Sequence, residues 1–308
     1  MPGGYRHRPT VGSRPEVAAV RCDDQGKHGM GVEVGEGTRG MVGGRNLPVA
    51  IAVGVVLAAI FLGSLFWRAE AFTVVVLLLV AAAQIEVTRV VRPVGLRLLL
   101  PVMLAASVVS VGGALFLGSR ALVGGTAVLL LGSVLWLLAD PGRERIVETW
   151  GSTALFGLWV GFLGAYGVLL VDRPDGAVIV LAVIGAAIFT DIGGYAFGVA
   201  FGRHKVAPGV SPNKTWEGLI GGLVVAATLA AVVLPLFDVG IGVGTAIGLA
   251  VTCGIAAFVG DLAESMVKRE LGLKDLGDLL PGHGGILDRV DGILFVMPVG
   301  YYVLQLTG

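Results

Sequence analysis

Residues 260–292 read GDLAESMVKRELGLKDLGDLLPGHGGILDRVDG, a charged stretch in a chain that is otherwise largely apolar. If the helix that ends the preceding apolar run continues through Arg269, then Asp261, Glu264, Ser265 and Lys268 fall at i, i+3, i+4 and i+7. That spacing places two carboxylates, a hydroxyl and an ammonium on one stripe. Further on, Pro281-Gly282-His283-Gly284-Gly285 supplies glycines that permit positive φ and close approach of backbone N–H groups to an anion. The next helix opens with Asp288, Arg289 and Asp291, its two carboxylates sharing a face at i, i+3. Two helix ends and a glycine loop can thus converge carboxylates for a hard divalent cation and cations for phosphate oxygens.

Composition bounds the class. A mean hydropathy of +0.88, with 55% hydrophobic and only 14% charged residues, belongs to a polytopic membrane protein. The formal net charge is zero, but the charges are segregated along the chain, so their placement carries the information. The two cysteines, Cys22 and Cys253, have no metal-type spacing and argue against both a disulfide framework and a thiolate zinc site. Nothing points to nucleic acid. The preponderance of Arg over Lys, with abundant Gly, Ala and Val, suggests a bacterium with a GC-rich genome.

Residues 1–45 lack apolar periodicity and any apolar core followed by a small-residue cleavage site, and they read as a disordered cytosolic tail. Met30 and Met41 are alternative starts within it. Beyond them the expected fold class is all-α, with about nine transmembrane helices near 47–66, 71–91, 98–118, 121–139, 151–171, 177–198, 216–236, 240–262 and 286–306. Residues 46–180 form an N-terminal set of helices, and 181–308 a C-terminal catalytic set with its loops. Basic residues alternate rich and poor along the connections: Arg39 and Arg45, then Arg68 alone, then Arg89, Arg92 and Arg97, then Arg120 alone. Arg143 and Arg145 follow, then Arg173, then Arg203, Lys205 and Lys214, then none, then Lys268, Arg269 and Lys274. The positive-inside bias therefore predicts a cytoplasmic N-terminus, with the charged stretch facing the cytoplasm.

A second polar concentration spans residues 190–218. Asp191 lies well inside an apolar run, where an ionisable group is costly unless it pairs or faces water. After it, Ser211-Pro212-Asn213-Lys214-Thr215-Trp216-Glu217-Gly218 leads into a helix that Ser211 or Asn213 can cap, with Lys214 and Thr215 placed to bind an anion at its N-terminus. Weaker features have plainer readings. Glu86 either faces an internal cavity or snorkels in an ion pair with Arg89. Gly112-Gly113, Gly124-Gly125 and Gly221-Gly222 suit close helix packing, the tryptophans an interfacial belt, and His204 a solvated loop.

The pattern Ser265-x-x-Lys268-Arg269-x4-Lys274-Asp275, followed by Pro281-Gly282-His283-Gly284-Gly285-x-x-Asp288-Arg289-x-Asp291, resembles the signature of the phosphatidate cytidylyltransferases, also called CDP-diacylglycerol synthases. The Asp-x-x-x-Tyr element at Asp191 and the Ser-Pro-x-Lys-Thr-x-Glu-Gly element at Ser211 are similar to the same family. The resemblance covers roughly residues 185–300. It implies a membrane nucleotidyltransferase joining CTP and phosphatidate to give CDP-diacylglycerol and pyrophosphate, with Mg2+ or Mn2+ as cofactor. It also implies Asp261 and Asp288 as catalytic metal carboxylates, with Asp291 in the first or second shell of the ion. Lys268, Arg269 and Ser265 would hold phosphate oxygens, and His283 with the Gly282–Gly285 backbone, Gly284 and Gly285 included, would cradle the triphosphate. Lys214 with Ser211 would reach a phosphate across the cleft, and Asp191, Lys274 and Arg289 complete the expected substrate contacts. The expected setting is the bacterial plasma membrane, with a homodimer compatible with it. Two alternatives stay open: a CTP-dependent polyprenol or lipid kinase, and a transporter, which would need matching polar groups in both halves.

Overall fold

The computed structural model describes residues 47–277, 279 and 284–307. Expectations that fall on residues 1–46, on Gly282 and on His283 lie outside these residues. Among the described residues, nine helices run in order: α1 Leu47–Trp67, then α2 Ala69–Val91, α3 Leu100–Leu117, α4 Ser119–Ala139, α5 Ile146–Val171, α6 Gly176–Phe201, α7 Trp216–Phe237, α8 Val243–Glu270 and α9 Leu287–Thr307. Helices α2 to α9 are each long and apolar enough to cross a membrane, and α1 runs for 21 residues of apolar sequence without a charged side chain. The protein is a polytopic, almost wholly helical membrane protein.

One addition to the all-α expectation is a small antiparallel hairpin, β1 Lys205–Ala207 and β2 Ser211–Thr215. Its strands pair Lys205 with Thr215 and Ala207 with Ser211. Ser211 is thus a strand residue and caps nothing. The cap of α7 is Thr215, whose Oγ1 accepts the Gly218 N–H at 3.1 Å.

Helix α5 is the most enclosed element, with 72% of its most apolar window buried against the others, compared with 22% for α7. Between helices in lipid there is little hydrophobic drive, so cohesion must come from close contact and internal hydrogen bonds. Both are visible. A Cβ built on Gly222 would stand 2.2 Å from the Thr190 carbonyl oxygen, so α6 and α7 approach backbone to backbone. Gln84 Nε2 donates to Ser107 Oγ at 2.8 Å inside the bundle, beside π-helical turns at Val108–Gly112 in α3 and Gly157–Phe162 in α5. Tyr166 and Tyr302 hydroxyls meet at 3.1 Å, joining α5 to α9.

The C-terminal four helices pack α6 on α7, α7 on α8 and α8 on α9. Helix α8 runs to Glu270, about two turns past the apolar limit expected at residue 262. The polar stripe therefore stays helical, and α9 returns alongside it.

Candidate active site

Asp261, Glu264, Ser265 and Lys268 lie on the C-terminal turns of α8, and Asp288 and Asp291 on the first turns of α9. Asp261, Glu264 and Asp291 each offer a carboxylate oxygen within 4.8 Å of the others. Three ionised carboxylates that close repel one another unless a cation stands among them or one takes up a proton. Two lysines border the group. Lys214, at the end of β2, forms an ion pair with Asp261, its ammonium lying 4.4 Å from the centre of the Phe258 ring. Lys268 Nζ lies 3.1 Å from Glu264 Oε2 and 3.1 Å from Asp288 Oδ1. Even so, Glu264 is only 3% exposed, and its Oε1 has no hydrogen-bond partner in the structure. A buried carboxylate with an unmatched oxygen, grouped with two more carboxylates, is a good fit to a hard divalent ion, which takes oxygen ligands of this kind.

The carboxylate set differs in one member from the expected Asp261, Asp288 and Asp291. Glu264, one turn along α8 from Asp261, completes the close group, while Asp288 is engaged elsewhere. The Asp288 carboxylate accepts the Leu276 N–H at 3.0 Å and the Gly285 N–H at 3.2 Å, besides Lys268. It closes the loop between α8 and α9 onto the start of α9. The Gly285 N–H, expected in an anion cradle, is directed at Asp288 instead. Gly285 has no room for a side chain, since a Cβ there would lie 2.6 Å from Asp288 Oδ2 and 2.9 Å from the Gly277 backbone. Gly284, at φ +84°, occupies the left-handed region that favours glycine.

The other expected residues scatter around this centre. Ser265 Oγ donates to Asp261 Oδ1 at 3.5 Å. Asp191 on α6 lines a pocket of about 280 Å³ with Tyr195, Asn213, Lys214 and Asp261, so this ionisable group in an apolar run faces a cavity that it shares with other polar side chains. Arg269 is exposed, and its Nε donates to the Val210 carbonyl at 3.4 Å, pinning the hairpin to α8. Lys274 and Arg289 are exposed at the same end. Glu217 steadies the base of the hairpin, its carboxylate accepting the Arg203 N–H at 3.1 Å and pairing with His204 Nδ1 at 2.5 Å.

Glu86 has neither of the surroundings considered from sequence. It is 3% exposed, and its two carboxylate oxygens accept the N–H groups of Leu279 and Ile286, each at 2.7 Å.

Fold and site together define a multi-pass membrane protein with a cation-ready carboxylate cluster framed by lysines. The cytidylyltransferase family matches residues 48–307, and the chain belongs to that family. It is 34% identical over 291 residues to a phosphatidate cytidylyltransferase of Mycobacterium leprae, covering 85% of this chain and 89% of that protein. A Mycobacterium bovis protein of the same name is 32% identical over 275 residues, covering 85% and 90% of the two chains. One from Brucella melitensis is 42% identical over 174 residues, covering 56% and 60%.

Proposed function

We propose that the protein is a phosphatidate cytidylyltransferase, converting CTP and phosphatidate to CDP-diacylglycerol and pyrophosphate. The observation that carries this reading is the cluster of Asp261, Glu264 and Asp291 between Lys214 and Lys268, beside a polar pocket in a membrane-spanning bundle. Family membership and the names of its relatives support the same chemistry.

The reaction suits these residues. Phosphatidate already carries an oxyanion, so no strong general base is needed. One of its phosphate oxygens attacks the α-phosphorus of CTP, the new P–O bond forms, and the bond to the bridging oxygen of the departing pyrophosphate breaks. The difficulty is bringing two polyanions together and stabilising charge on the leaving group. Asp261, Glu264 and Asp291 would hold a Mg2+ or Mn2+ ion, which when bound supplies charge neutralisation and alignment of phosphate oxygens. Lys214, paired with Asp261, and Lys268, paired with Glu264, add cationic charge, and Ser265 offers a hydroxyl beside Asp261. Asp288 holds Lys268 and the loop in place. Asp191, Arg269, Lys274, Arg289 and Ser211 stay in this reading as outer contacts to the two phosphate-bearing substrates, and His283 as part of the triphosphate cradle.

The same reading places the site at the cytoplasmic face of a bacterial plasma membrane, where CTP is available, and admits a homodimer, which the mass of the purified protein in detergent tests. The decisive experiment incubates purified protein with labelled CTP and phosphatidate. Labelled CDP-diacylglycerol is expected. Transfer of the γ-phosphate to a lipid alcohol would instead identify a kinase, and uptake without turnover a transporter.

A further inference from the structure

Glu86 belongs to α2, in the half of the chain whose helices carry no motif, yet its side chain ends against the loop that joins α8 to α9. Both of its oxygens are used there, one on the Leu279 N–H and one on the Ile286 N–H, at 2.7 Å each. Gly277 closes the same contact from another side, since a Cβ at that position would fall 2.0 Å from Glu86 Cδ. Asp288 holds the Leu276 and Gly285 N–H groups of the same loop. Two carboxylates, one from each half of the chain, thus fix the backbone at both ends of the connection. Leu276, Gly285 and Ile286 are buried, and leaving their N–H groups unmatched there would be costly. An amide at position 86 could not replace the carboxylate, because it has one acceptor oxygen for two donors and turns an NH2 towards the second.

We infer that Glu86 is a positioning residue for the catalytic end of the protein: by clamping the backbone at Leu279 and Ile286 it sets where Asp288, and through it Lys268, stand beside the Asp261, Glu264 and Asp291 cluster. This rests on the proposed function only for its kinetic consequence. A buried carboxylate that merely filled space between α2 and the loop would need neither hydrogen bond, and a smaller apolar side chain would serve.

The test compares wild type with Glu86→Gln and Gly277→Ala in detergent or nanodiscs, following backbone hydrogen exchange by mass spectrometry and steady-state kinetics. Glu86→Gln should accelerate exchange about tenfold or more in peptides containing Leu279 and Ile286, with helices α3 to α7 unchanged. It should also raise the KM for CTP, or lower kcat, by about tenfold while leaving the KM for phosphatidate within about twofold. Gly277→Ala, which displaces the carboxylate without altering it, should give the same pattern. Should Glu86→Gln loosen the whole chain, Gly277→Ala decides the matter. Wild-type exchange at Leu279 and Ile286 in these variants overturns the clamp, and accelerated exchange with unchanged kinetics overturns the positioning role. If the wild type makes no CDP-diacylglycerol, the functional reading falls, while the exchange arm still decides the clamp.

Discussion

Lys268 donates to Asp288 at 3.1 Å and so ties the end of α8 to the beginning of α9. Because Lys268 also touches Glu264 at 3.1 Å, the bond joins the carboxylate cluster to the loop that Asp288 closes. Breaking it from either side should be felt on both. In a double-mutant cycle with Lys268→Met and Asp288→Asn, turnover losses should fall short of additivity by about 0.5–3 kcal/mol, the range for residues in one network. Additive losses would mean the two residues act independently.

The cluster itself yields a prediction about metal. Asp261→Asn, Glu264→Gln and Asp291→Asn should each lose at least about 90% of turnover, since one lost charge contact worth about 1.4 kcal/mol is tenfold. Each should also shift the Mg2+ dependence to higher concentration. Any pair among them should cost little more than the worse single, because the ligands serve one ion. Asp288→Asn should lower activity without a comparable shift in the Mg2+ requirement, which separates its role from theirs. Metal titrations of activity on the four variants check this directly.

Much of this arrangement was legible in the sequence because it is local. The stripe Asp261, Glu264, Ser265 and Lys268 follows from helical spacing alone, and so does the shared face of Asp288 and Asp291. Which carboxylates face a common ion is a property of how α8 packs against α9, and spacing does not contain it. That is why Glu264 replaces Asp288 in the close group. Glu86 was harder still. Its partner Ile286 is 200 residues away, and an acidic residue near the end of an apolar helix, close to an arginine, looks like an ordinary interfacial pair. The hairpin did leave a signal, since the turn dipeptide Pro208-Gly209 lies between Val206-Ala207 and Val210, with β-branched valines close on either side.

Lys214 makes a prediction with an unusual sign. Its ammonium pairs with Asp261, so it competes with a divalent cation for that carboxylate while supplying positive charge to substrate. Lys214→Met should therefore lower kcat by about tenfold or more, yet reduce the Mg2+ concentration needed for half-maximal rate. Mg2+ titrations of the variant at saturating CTP and phosphatidate settle the direction. A weaker Mg2+ requirement together with unchanged kcat would confine Lys214 to a structural ion pair.

The last prediction concerns orientation, because a site that uses CTP must open to the cytoplasm. Between the N-terminal tail and the connection carrying Lys274 lie eight helices, α1 to α8, and between Asp238 and Lys274 lies only α8. If all eight cross, the tail and Lys274 share one side and Asp238 is on the other. The absence of basic residues from the connection at Asp238 puts that connection outside under the positive-inside bias. The test replaces Cys22 with Ser and the buried Cys253 with Ala, then introduces single cysteines at Ser13, Asp238 and Lys274. In intact cells a membrane-impermeant thiol reagent should label only the Asp238 position, which is exposed in the structure, as is Lys274. Labelling at Ser13 and Asp238 but not Lys274 would mean that α1 does not cross, leaving the site cytoplasmic. Labelling at Lys274 with protection at Asp238 would turn the cluster of Asp261, Glu264 and Asp291 away from CTP, and the proposed reaction would fail with it.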